Sequence, residues 1–361
     1  MIIKNIEISC FRNFKKQHIE LSDGINVFYG NNAQGKTNLI EAVFIAAMGK
    51  SFRFCPDRDI IFFGEQRANI NVEYFSNNML NSNTVILNKS ERKIMKVNGC
   101  NIKKRMDFIG KLNVILFTPQ ELEIIKEGPY FRRRFIDVCA GQLRSRYLFA
   151  LSNYTKVVEQ KNKLLKEGDS STISVWNERL AEYGSIVLWY RISLFKKIKE
   201  MIKPVYAEIT EYKEEITGAY IKSFKFDDDL SVKEIKEVFL KALESKEQEE
   251  KEAGASLIGP HRDDMIFYIN GKNAKNFGSQ GQQRSIVLAL KLVQSDLFYE
   301  ETGEYPVLLL DDIASELDIV RRRYLFDKIK DKQVIITCTD AEKIENSQYA
   351  AYFNVKNGSI I

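Results

Sequence analysis

The stretch that most constrains this chain is residues 30–37, which fit the pattern G-x-x-x-x-G-K-[ST] at every fixed position. A period-two apolar run before the loop predicts a strand, and the apolar residues 37–48 after it predict a helix. In that setting the glycines let successive backbone N–H groups turn towards a polyphosphate, at the positive end of the helix dipole. We expect Lys36 to reach the β- and γ-phosphates and Thr37 to give its hydroxyl to Mg²⁺. The predicted phosphate loop comprises Gly30, Asn31, Asn32, Ala33, Gln34, Gly35, Lys36 and Thr37.

Two consecutive acids, Asp311 and Asp312, follow the four aliphatic residues 307–310. A buried strand can end in one acid by chance, but a pair of acids in a chain with a phosphate loop favours a functional interpretation. We expect Asp311 to hold Mg²⁺ through water and Asp312 to orient or deprotonate an attacking water. Asp312 and Lys36 are therefore the predicted catalytic residues, and Thr37 and Asp311 are the predicted metal ligands.

A second polar loop, residues 277–284, overlaps the start of a long predicted helix that runs from Gln280 to about Glu300. Its small residues, its amides and the helix N-terminus again suit an anion. One phosphate loop does not need another, so we interpret this loop as a cap on the γ-phosphate bound by a second copy of the chain. The alternative is an ordinary N-cap with flexible glycines beside it. The predicted ligands in trans are Ser279, Gly281 and Gln282.

Helix-like spacing of apolar residues dominates between residues 119 and 217, whereas the flanking segments mix strands with helices. Lys36 and Asp311 also lie much farther apart than a minimal nucleotide-binding domain requires. Both observations predict an α/β domain that is interrupted by a helical arm. The predicted domains are an N-terminal α/β segment at 1–118, the helical arm at 119–217 and a C-terminal α/β segment at 218–361. Within the last segment, the charged residues 233–252 predict a solvated helix with no assigned function.

Composition narrows the class of protein. The chain has 361 residues, of which 44% are hydrophobic, and no apolar run reaches the ~18 residues of a membrane helix. The first residues lack the order of charges and apolar residues found in a signal peptide, so we expect a cytoplasmic protein with no membrane partner. Five separated cysteines and two histidines argue against a disulfide framework and against a cysteine- or histidine-rich metal site.

These motifs follow the order found in the head of ABC-type ATPases, and within that superfamily the chain resembles the RecF family of bacterial recombination-repair proteins. The resemblance covers essentially all of the chain. A transporter-type switch histidine has no counterpart, because Thr339-Asp340 follows the last predicted strand. Besides the motifs above, the resemblance rests on Ile3-Lys4-Asn5-Ile6, Phe11-Arg12-Asn13-Phe14, Gly128-Pro129 with residues 132–137, and the blocks 259–264, 310–318 and 321–325.

The resemblance implies an α/β fold, namely an ABC-type P-loop ATPase head with an antiparallel β subdomain and an inserted all-helical arm. It implies ATP and Mg²⁺ as cofactors. It also implies an ATP-dependent homodimer, in which each of two nucleotides lies between the phosphate loop of one copy and the second polar loop, residues 277–284, of the other. It also suggests two further nucleotide-binding residues, Gln120 at the Q-loop position and Asp318 after the acids. Family members usually carry an acid where this chain has Gln120, and a glycine where it has Glu127.

The resemblance further implies binding to double-stranded DNA and to single-strand/double-strand junctions. With RecO and RecR, such a protein promotes RecA loading at gaps in DNA repair, replication restart and the SOS response, at the nucleoid in the cytoplasm. ATP hydrolysis would part the dimer and release the DNA. Asp312 is one methylene shorter than the glutamate common in fast ABC ATPases, so we expect a weak, DNA-stimulated ATPase.

The charge of the chain permits DNA binding without requiring it. There are 54 Lys and Arg residues against 49 Asp and Glu residues, a net charge of +5. If basic clusters converge on one face of a dimer, they would follow the phosphates of DNA; the alternative is a solvated surface with scattered ion pairs. The resemblance favours DNA. The predicted contacts are Lys103, Lys104, Arg105, Arg132, Arg133 and Arg134.

Three other functions fit parts of the pattern. An SMC-like chromosome-organising ATPase needs hundreds of coiled-coil residues, which an arm of about a hundred residues cannot supply. The ATPase subunit of a transporter would have the switch histidine. A nucleotide-gated adaptor that does not hydrolyse ATP stays open as an alternative, because of the short acid at Asp312.

Overall fold

The computed structural model describes residues 1–53, 55–168, 171–313, 317–340 and 350–360. Its strands are β1 Ile2–Phe11, β2 Phe14–Glu20, β3 Ile25–Tyr29, β4 Arg67–Ser76, β5 Met79–Asn88, β6 Ile94–Val97, β7 Cys100–Ile102, β8 Val114–Phe117, β9 Ile216–Ile221, β10 Asp264–Ile269, β11 Lys272–Asn273, β12 Val307–Asp311, β13 Val334–Cys338, β14 Ala351–Lys356 and β15 Ser359–Ile360. Its helices are α1 Lys36–Met48, α2 Arg105–Phe108, α3 Glu123–Lys126, α4 Pro129–Leu143, α5 Ser145–Glu167, α6 Ile173–Ile209, α7 Val232–Ser245, α8 Glu247–Ala253, α9 Ala274–Phe277, α10 Gln280–Thr302 and α11 Ile319–Ile329. Short 3₁₀ turns lie at Asp57–Ile60 and Pro119–Leu122.

The chain divides into two compact units. The first comprises Met1–Leu122 and Leu288–Ile361, and the second comprises Glu123–Val287. Helix α10 begins in the second unit and ends in the first. The domain limits predicted from the sequence, after residues 118 and 217, mark the ends of the inserted helical arm. The two units instead group the residues that pack together, so the predicted limits stay a prediction.

A six-stranded sheet of order β15-β14-β3-β13-β12-β8 forms the core of the first unit. The pairs β12–β8, β12–β13, β13–β3 and β3–β14 are parallel, and β15 turns back on β14 as a hairpin. Strands β12 and β13 are buried along their whole length, as continuous apolar runs in a parallel sheet require. Because parallel strands end at the same edge, the residues that follow β3, β12 and β13 meet there.

The other sheet of this unit, of order β2-β1-β4-β5-β6-β7, is antiparallel. Asn98 and Gly99 have positive φ angles of 50° and 77° and join β6 to β7 in a hairpin, as the Asn-Gly dipeptide favours. Strand β2 has the polar run 15–17 near its centre, so its position depends on pairing with β1 rather than on a local apolar pattern.

The second unit consists of the helices α3 to α9, the start of α10 and a three-stranded antiparallel sheet of order β11-β10-β9. The apolar stripes of α5 and α6 form its core, as the sequence predicted, with Tyr147, Tyr154, Leu180 and Ile198 buried. Within the described residues, no helix combines the length and apolarity that spanning a bilayer requires.

The charged segment 233–252 is helical, as predicted, but it forms two helices and is solvated on only part of its surface. Helix α7 buries Ile235, Phe239 and Leu243, which recur every four residues and therefore share one helix face. In α8, the side chain of Glu250 is fully buried and accepts a hydrogen bond from Lys161 Nζ at 2.5 Å. This segment is thus part of the core of the second unit.

The block 259–264 ties the helices of the second unit together. Gly259 has a φ of +124°, and a Cβ there would collide with the Tyr154 hydroxyl. That hydroxyl forms a 2.5 Å hydrogen bond with His261 Nδ1. The Arg191 guanidinium donates to the Pro260 carbonyl at 2.6 Å. Burial lowers the pKa of His261 to about 4.

Candidate nucleotide-binding site

The loop between β3 and α1 has a backbone that glycine makes possible. Gly30 and Gly35 have φ angles of +149° and +118°, and Ala33 has a φ of 63°. A Cβ at Gly30 would collide with the Val355 carbonyl oxygen, so only glycine fits there. No side chain caps the N-terminus of α1, so no side-chain acceptor competes with an anion for the N–H groups of Lys36 and Thr37.

Neighbouring segments hold the loop in place through Gln34. The Gln34 carbonyl accepts hydrogen bonds from Asn13 Nδ2 at 2.8 Å and from the Gly358 N–H at 3.0 Å. Its side-chain Oε1 accepts the Asn357 N–H at 2.5 Å. The β1–β2 turn and the β14–β15 turn therefore support the loop from two sides.

Lys36 lies across the loop. Its Nζ donates to the carbonyl oxygens of Gly30 at 2.6 Å and Asn31 at 2.8 Å. Burial lowers the pKa of Lys36, and the nearby carboxylates of Asp312 and Asp311 act in the opposite direction. An ammonium held on neutral carbonyls can exchange them for the charged oxygens of a phosphate, which bind it more strongly.

The structure brings Thr37 and Asp311 together, as the two predicted metal ligands require. The Thr37 hydroxyl donates to Asp311 Oδ1 at 2.9 Å, and the Thr337 hydroxyl donates to the same oxygen at 2.7 Å. Burial raises the pKa of Asp311, although both hydroxyls oppose that shift. Hydroxyl and carboxylate oxygens are the ligands that Mg²⁺ prefers, so this donor set fits Mg²⁺.

Asp312 adopts a left-handed backbone conformation, with a φ of 53°. Its N–H lies 3.0 Å from the Thr337 hydroxyl and 3.2 Å from the Thr337 carbonyl oxygen. Non-glycine residues with positive φ are uncommon, and they concentrate at functional sites. The turn that follows β12 thus places both acids at the sheet edge that also carries the phosphate loop.

A cleft of about 180 Å³ connects these groups and includes residues that the sequence analysis missed. Arg53 lies in its wall and donates to Asn38 Oδ1 at 3.0 Å and to Glu41 Oε2 at 3.2 Å. A guanidinium in a phosphate-sized cleft can bind phosphate oxygens. The available signal was the position of Arg53 soon after the predicted helix that follows the phosphate loop.

Two residues suggested by the resemblance lie apart from the phosphate cleft. Gln120 is exposed in the 3₁₀ turn after β8 and is not among the described residues that line the cleft. Asp318 caps helix α11, where its side chain accepts the Arg321 N–H at 2.9 Å. The neighbouring residues 314–316 lie outside the described part of the chain. Binding of nucleotide by Gln120 and Asp318 stays a prediction.

The signature loop, residues 279–282, belongs to the second unit and forms a capping box at the start of α10. The Ser279 Oγ accepts the Gln282 N–H at 3.2 Å, and Gln282 Oε1 accepts the Ser279 N–H at 2.7 Å. The N-cap alternative therefore describes the loop in a single chain. It does not oppose phosphate binding, because it leaves the N–H groups of Gln280 and Gly281, which have no intrahelical acceptor, for an anion.

The first basic cluster lies on the surface of the first unit. Lys103 and Lys104 are exposed just before α2. Arg105 is partly buried, and burial lowers its pKa. The two lysines are therefore free to meet a polyanion, whereas much of the Arg105 side chain is covered.

The second basic cluster is mostly engaged within the second unit. Arg132 is 5% exposed, and its guanidinium donates to both carboxylate oxygens of Asp264, at 2.6 and 2.9 Å. A buried guanidinium that is already paired cannot also bind a DNA phosphate, so the assignment of Arg132 to DNA conflicts with its position. Arg133 donates to the Asp263 carbonyl at 2.7 Å, and Arg134 is partly buried.

Comparison with known proteins identifies the relatives of this chain. The family model described as RecF/RecN/SMC N terminal domain matches residues 2–360. The DNA replication and repair protein RecF of Clostridium tetani is 39% identical over 366 residues, with 100% of each chain covered. A solved structure of the recombination mediator protein RecF with ATP, in the RecFOR pathway, has a TM-score of 0.92 and 32% identity and covers 100% of this chain and 97% of that chain.

A more distant match shows the fold alone. The Smc head bound to the C-winged helix domain of ScpA has a TM-score of 0.60 at 15% identity, covering 100% of this chain and 96% of that chain. The fold is that of an ABC-type ATPase head with an antiparallel β subdomain and a helical insertion, as the sequence predicted. With relatives close to 40% identical over their full length, the chain belongs to the RecF family.

Proposed function

We propose that this chain is an ATP-dependent, DNA-binding recombination mediator that works as a clamp. Two copies close on two ATP molecules, and the closed dimer holds duplex DNA or a single-strand/double-strand junction. The observation that carries the proposal is the cluster of Lys36, Thr37, Asp311 and Asp312 at one edge of the parallel sheet. The similarity to RecF with bound ATP supports the same assignment.

The residues of the cleft have separate roles in binding and hydrolysing ATP. The N–H groups of the phosphate loop and the Lys36 ammonium bind the phosphates. Thr37 and Asp311 hold Mg²⁺, which when bound neutralises charge on the β- and γ-phosphate oxygens. Asp312 holds the attacking water and takes its proton. Since this acid is short, hydrolysis is weak and depends on stimulation by DNA.

Dimerisation requires that the signature loop act on the nucleotide of the second copy. Of the three residues predicted to act in trans, Ser279 would contribute its hydroxyl and Gly281 its N–H group to that γ-phosphate. The Gln282 N–H donates to the Ser279 Oγ, so Gln282 would act by orienting that hydroxyl. Hydrolysis removes the γ-phosphate, and the dimer then opens and releases DNA. We also propose that the inserted helical arm comprises residues 119–217.

DNA binding is assigned to exposed basic residues. Lys103 and Lys104 are the candidates with the freest side chains, Arg133 and Arg134 are weaker ones, and Arg105 is the least accessible. Arg132 is left out, because it is buried and paired with Asp264. Such contacts follow phosphates and do not read bases, so we expect binding without sequence specificity.

The names of the relatives support a proposal for where the protein acts in the cell. RecF proteins are named for DNA replication and repair, and for the RecFOR pathway. We therefore propose that this chain acts at the nucleoid in the cytoplasm. There it would work with RecR and RecO to promote RecA loading at gaps during repair, replication restart and SOS induction.

Sedimentation velocity tests nucleotide, dimer and DNA together. The protein is measured alone, with ATP and Mg²⁺, and with both plus gapped or blunt duplex DNA. We expect a dimer with ATP, and a heavier complex with gapped DNA. An unchanged monomer in ATP would refute the clamp. A dimer that forms normally but never hydrolyses ATP would favour the nucleotide-gated adaptor instead.

A further inference from the structure

Glu214 connects the end of α6 to the signature loop. Its Oε1 accepts a hydrogen bond from Gln282 Nε2 at 2.7 Å, and its Oε2 accepts one from the Tyr206 hydroxyl at 2.6 Å. Tyr206 is fully buried on α6, and Glu214 and Gln282 are partly buried. All three residues belong to the second unit. The carboxylate therefore bridges two elements that are far apart in the sequence.

The contact with Glu214 sets the orientation of the Gln282 amide. An ionised carboxylate accepts hydrogen bonds and donates none, so the amide nitrogen of Gln282 must face it. The amide oxygen then faces the Ser279 N–H, which it accepts. Because the Ser279 Oγ accepts the Gln282 N–H, its own proton stays available to an acceptor outside the loop.

We propose that Glu214 is a positioning residue for the signature loop. Through Gln282, it keeps the Ser279 hydroxyl and the N–H groups of Gln280 and Gly281 ready for the γ-phosphate held by a second copy. This inference rests on the proposed ATP-driven dimer. Without Glu214, the amide of Gln282 can rotate, and the cost of ordering the loop is added to each dimerisation event. Because Tyr206 and Gln282 both donate to the Glu214 carboxylate, a movement at the end of α6 would change the position of the signature loop.

The first experiment compares variants at two neighbouring glutamates by sedimentation in ATP and Mg²⁺. Glu214→Ala is expected to weaken the dimer about tenfold, or about 1.4 kcal/mol, with no change in the affinity of the monomer for ATP. Glu214→Gln keeps an acceptor oxygen for Gln282 and an amide that can meet the Tyr206 hydroxyl, so it should stay within about twofold of the parent. Glu215→Ala is the matched control, because Glu215 is the exposed neighbour.

A double-mutant cycle separates positioning from a merely structural role. If Glu214 acts through Gln282, then Gln282→Ala weakens the dimer, and adding Glu214→Ala to it causes little further loss. Additive losses would reject the inference. Tyr206→Phe removes one anchor of the carboxylate and should weaken the dimer about threefold; no change would reject the connection to α6.

Three controls keep the outcomes distinct. Thermal unfolding checks that each variant folds, and Gln282→Ala removes the same hydrogen bond from the other side should Glu214→Ala not fold. If Ser279→Arg abolishes the dimer while Glu214→Ala leaves it intact, the role of Glu214 is wrong and the clamp stands. If Ser279→Arg also dimerises normally, the proposed action of the signature loop in trans is wrong.

Discussion

Thr337 connects the two acids of the phosphate cleft. Its hydroxyl donates to Asp311, and its backbone carbonyl and hydroxyl oxygens lie close to the N–H of Asp312. Strand β13 thus fixes the geometry of residues that follow β12. At the scale of single residues, the candidate site depends on this threonine as much as on the motif residues themselves.

Asp312→Asn tests the catalytic carboxylate. An amide cannot accept the proton of the attacking water, so ATP turnover should fall by about a hundredfold or more. The ATP dimer should persist, because hydrolysis no longer opens it. Phosphate release and sedimentation measure the two effects. Normal turnover in this variant would place the catalytic base elsewhere.

Lys36→Met tests the phosphate loop. It removes charge-assisted hydrogen bonds to the nucleotide, so ATP affinity should fall at least about tenfold and the ATP-dependent dimer should disappear. Calorimetry measures the affinity. Lys16→Met is the control, since Lys16 is exposed on β2. Equal affinities for the two variants would remove Lys36 from the site.

At the scale of elements, the buried pair of Lys161 on α5 and Glu250 on α8 connects helices of the second unit. Burial lowers the pKa of Lys161, and the contact with Glu250 acts in the opposite direction. Lys161→Met leaves the buried Glu250 charge without its partner, so the free energy of unfolding should fall by about 3–5 kcal/mol. Urea denaturation provides the measurement.

The same helix provides the control for that prediction. Lys163 forms an exposed i,i+4 pair with Glu167 at 3.9 Å. Lys163→Met should change the free energy of unfolding by less than about 0.5 kcal/mol. A similar loss in both variants would mean that the buried pair contributes no more than a surface pair.

Local patterns predicted most of the elements that carry the site. Apolar runs that end at glycine or acidic residues predict the strands β3, β12 and β13 and the helix α1. The burial of Glu250 did not follow, because its partner lies on another helix and no local pattern encodes the pair. The apolar face of α7 was visible in the spacing of Ile235, Phe239 and Leu243, but the surrounding charge obscured it.

The sequence predicted those residues of the candidate site that belong to recognisable motifs. Lys36, Thr37 and both acids lie together, whereas Arg53 and Thr337 join the cleft through tertiary packing. Burial also explains the misjudged Arg132: three consecutive arginines look alike in sequence, and only the fold turns one of them inward onto Asp264. The sequence can thus identify charged side chains, but it does not tell which of them are buried in internal ion pairs.

At the scale of the whole molecule, His261 makes stability depend on pH. Its pKa is lowered to about 4 by burial, so the unfolded chain takes up a proton near pH 6.5 before the folded chain does. Its contribution to stability is present above pH 6.5 and is lost as the pH falls towards 4. We expect a loss of about 2 kcal/mol between pH 7 and pH 5.

Urea denaturation at several pH values checks this expectation. His261→Gln should remove the loss over that range, so the difference between parent and variant isolates the histidine from other acids and bases. His18→Gln is the control, because the His18 side chain on β2 is 53% exposed. A pH dependence that is unchanged in His261→Gln would contradict the assignment.

DNA binding by the whole dimer should depend steeply on salt. The double variant Lys103→Ala and Lys104→Ala removes two candidate phosphate contacts, so the slope of log affinity against log salt should fall by about 2. Fluorescence titrations with gapped duplex DNA measure the slope. A Lys15→Ala and Lys16→Ala variant, on β2, gives the matched loss of charge. Equal slopes in both variants would move the DNA interface away from Lys103 and Lys104.

The turn between β14 and β15 backs the phosphate loop, although Asn357 follows Gln34 by 323 positions in the chain. A ribosome therefore makes the loop early, together with Asn13, and makes Asn357 and Gly358 late. Until then the loop of a growing chain is braced from one side only. A copy truncated between the two segments would lack both backbone N–H groups that the β14–β15 turn donates to Gln34.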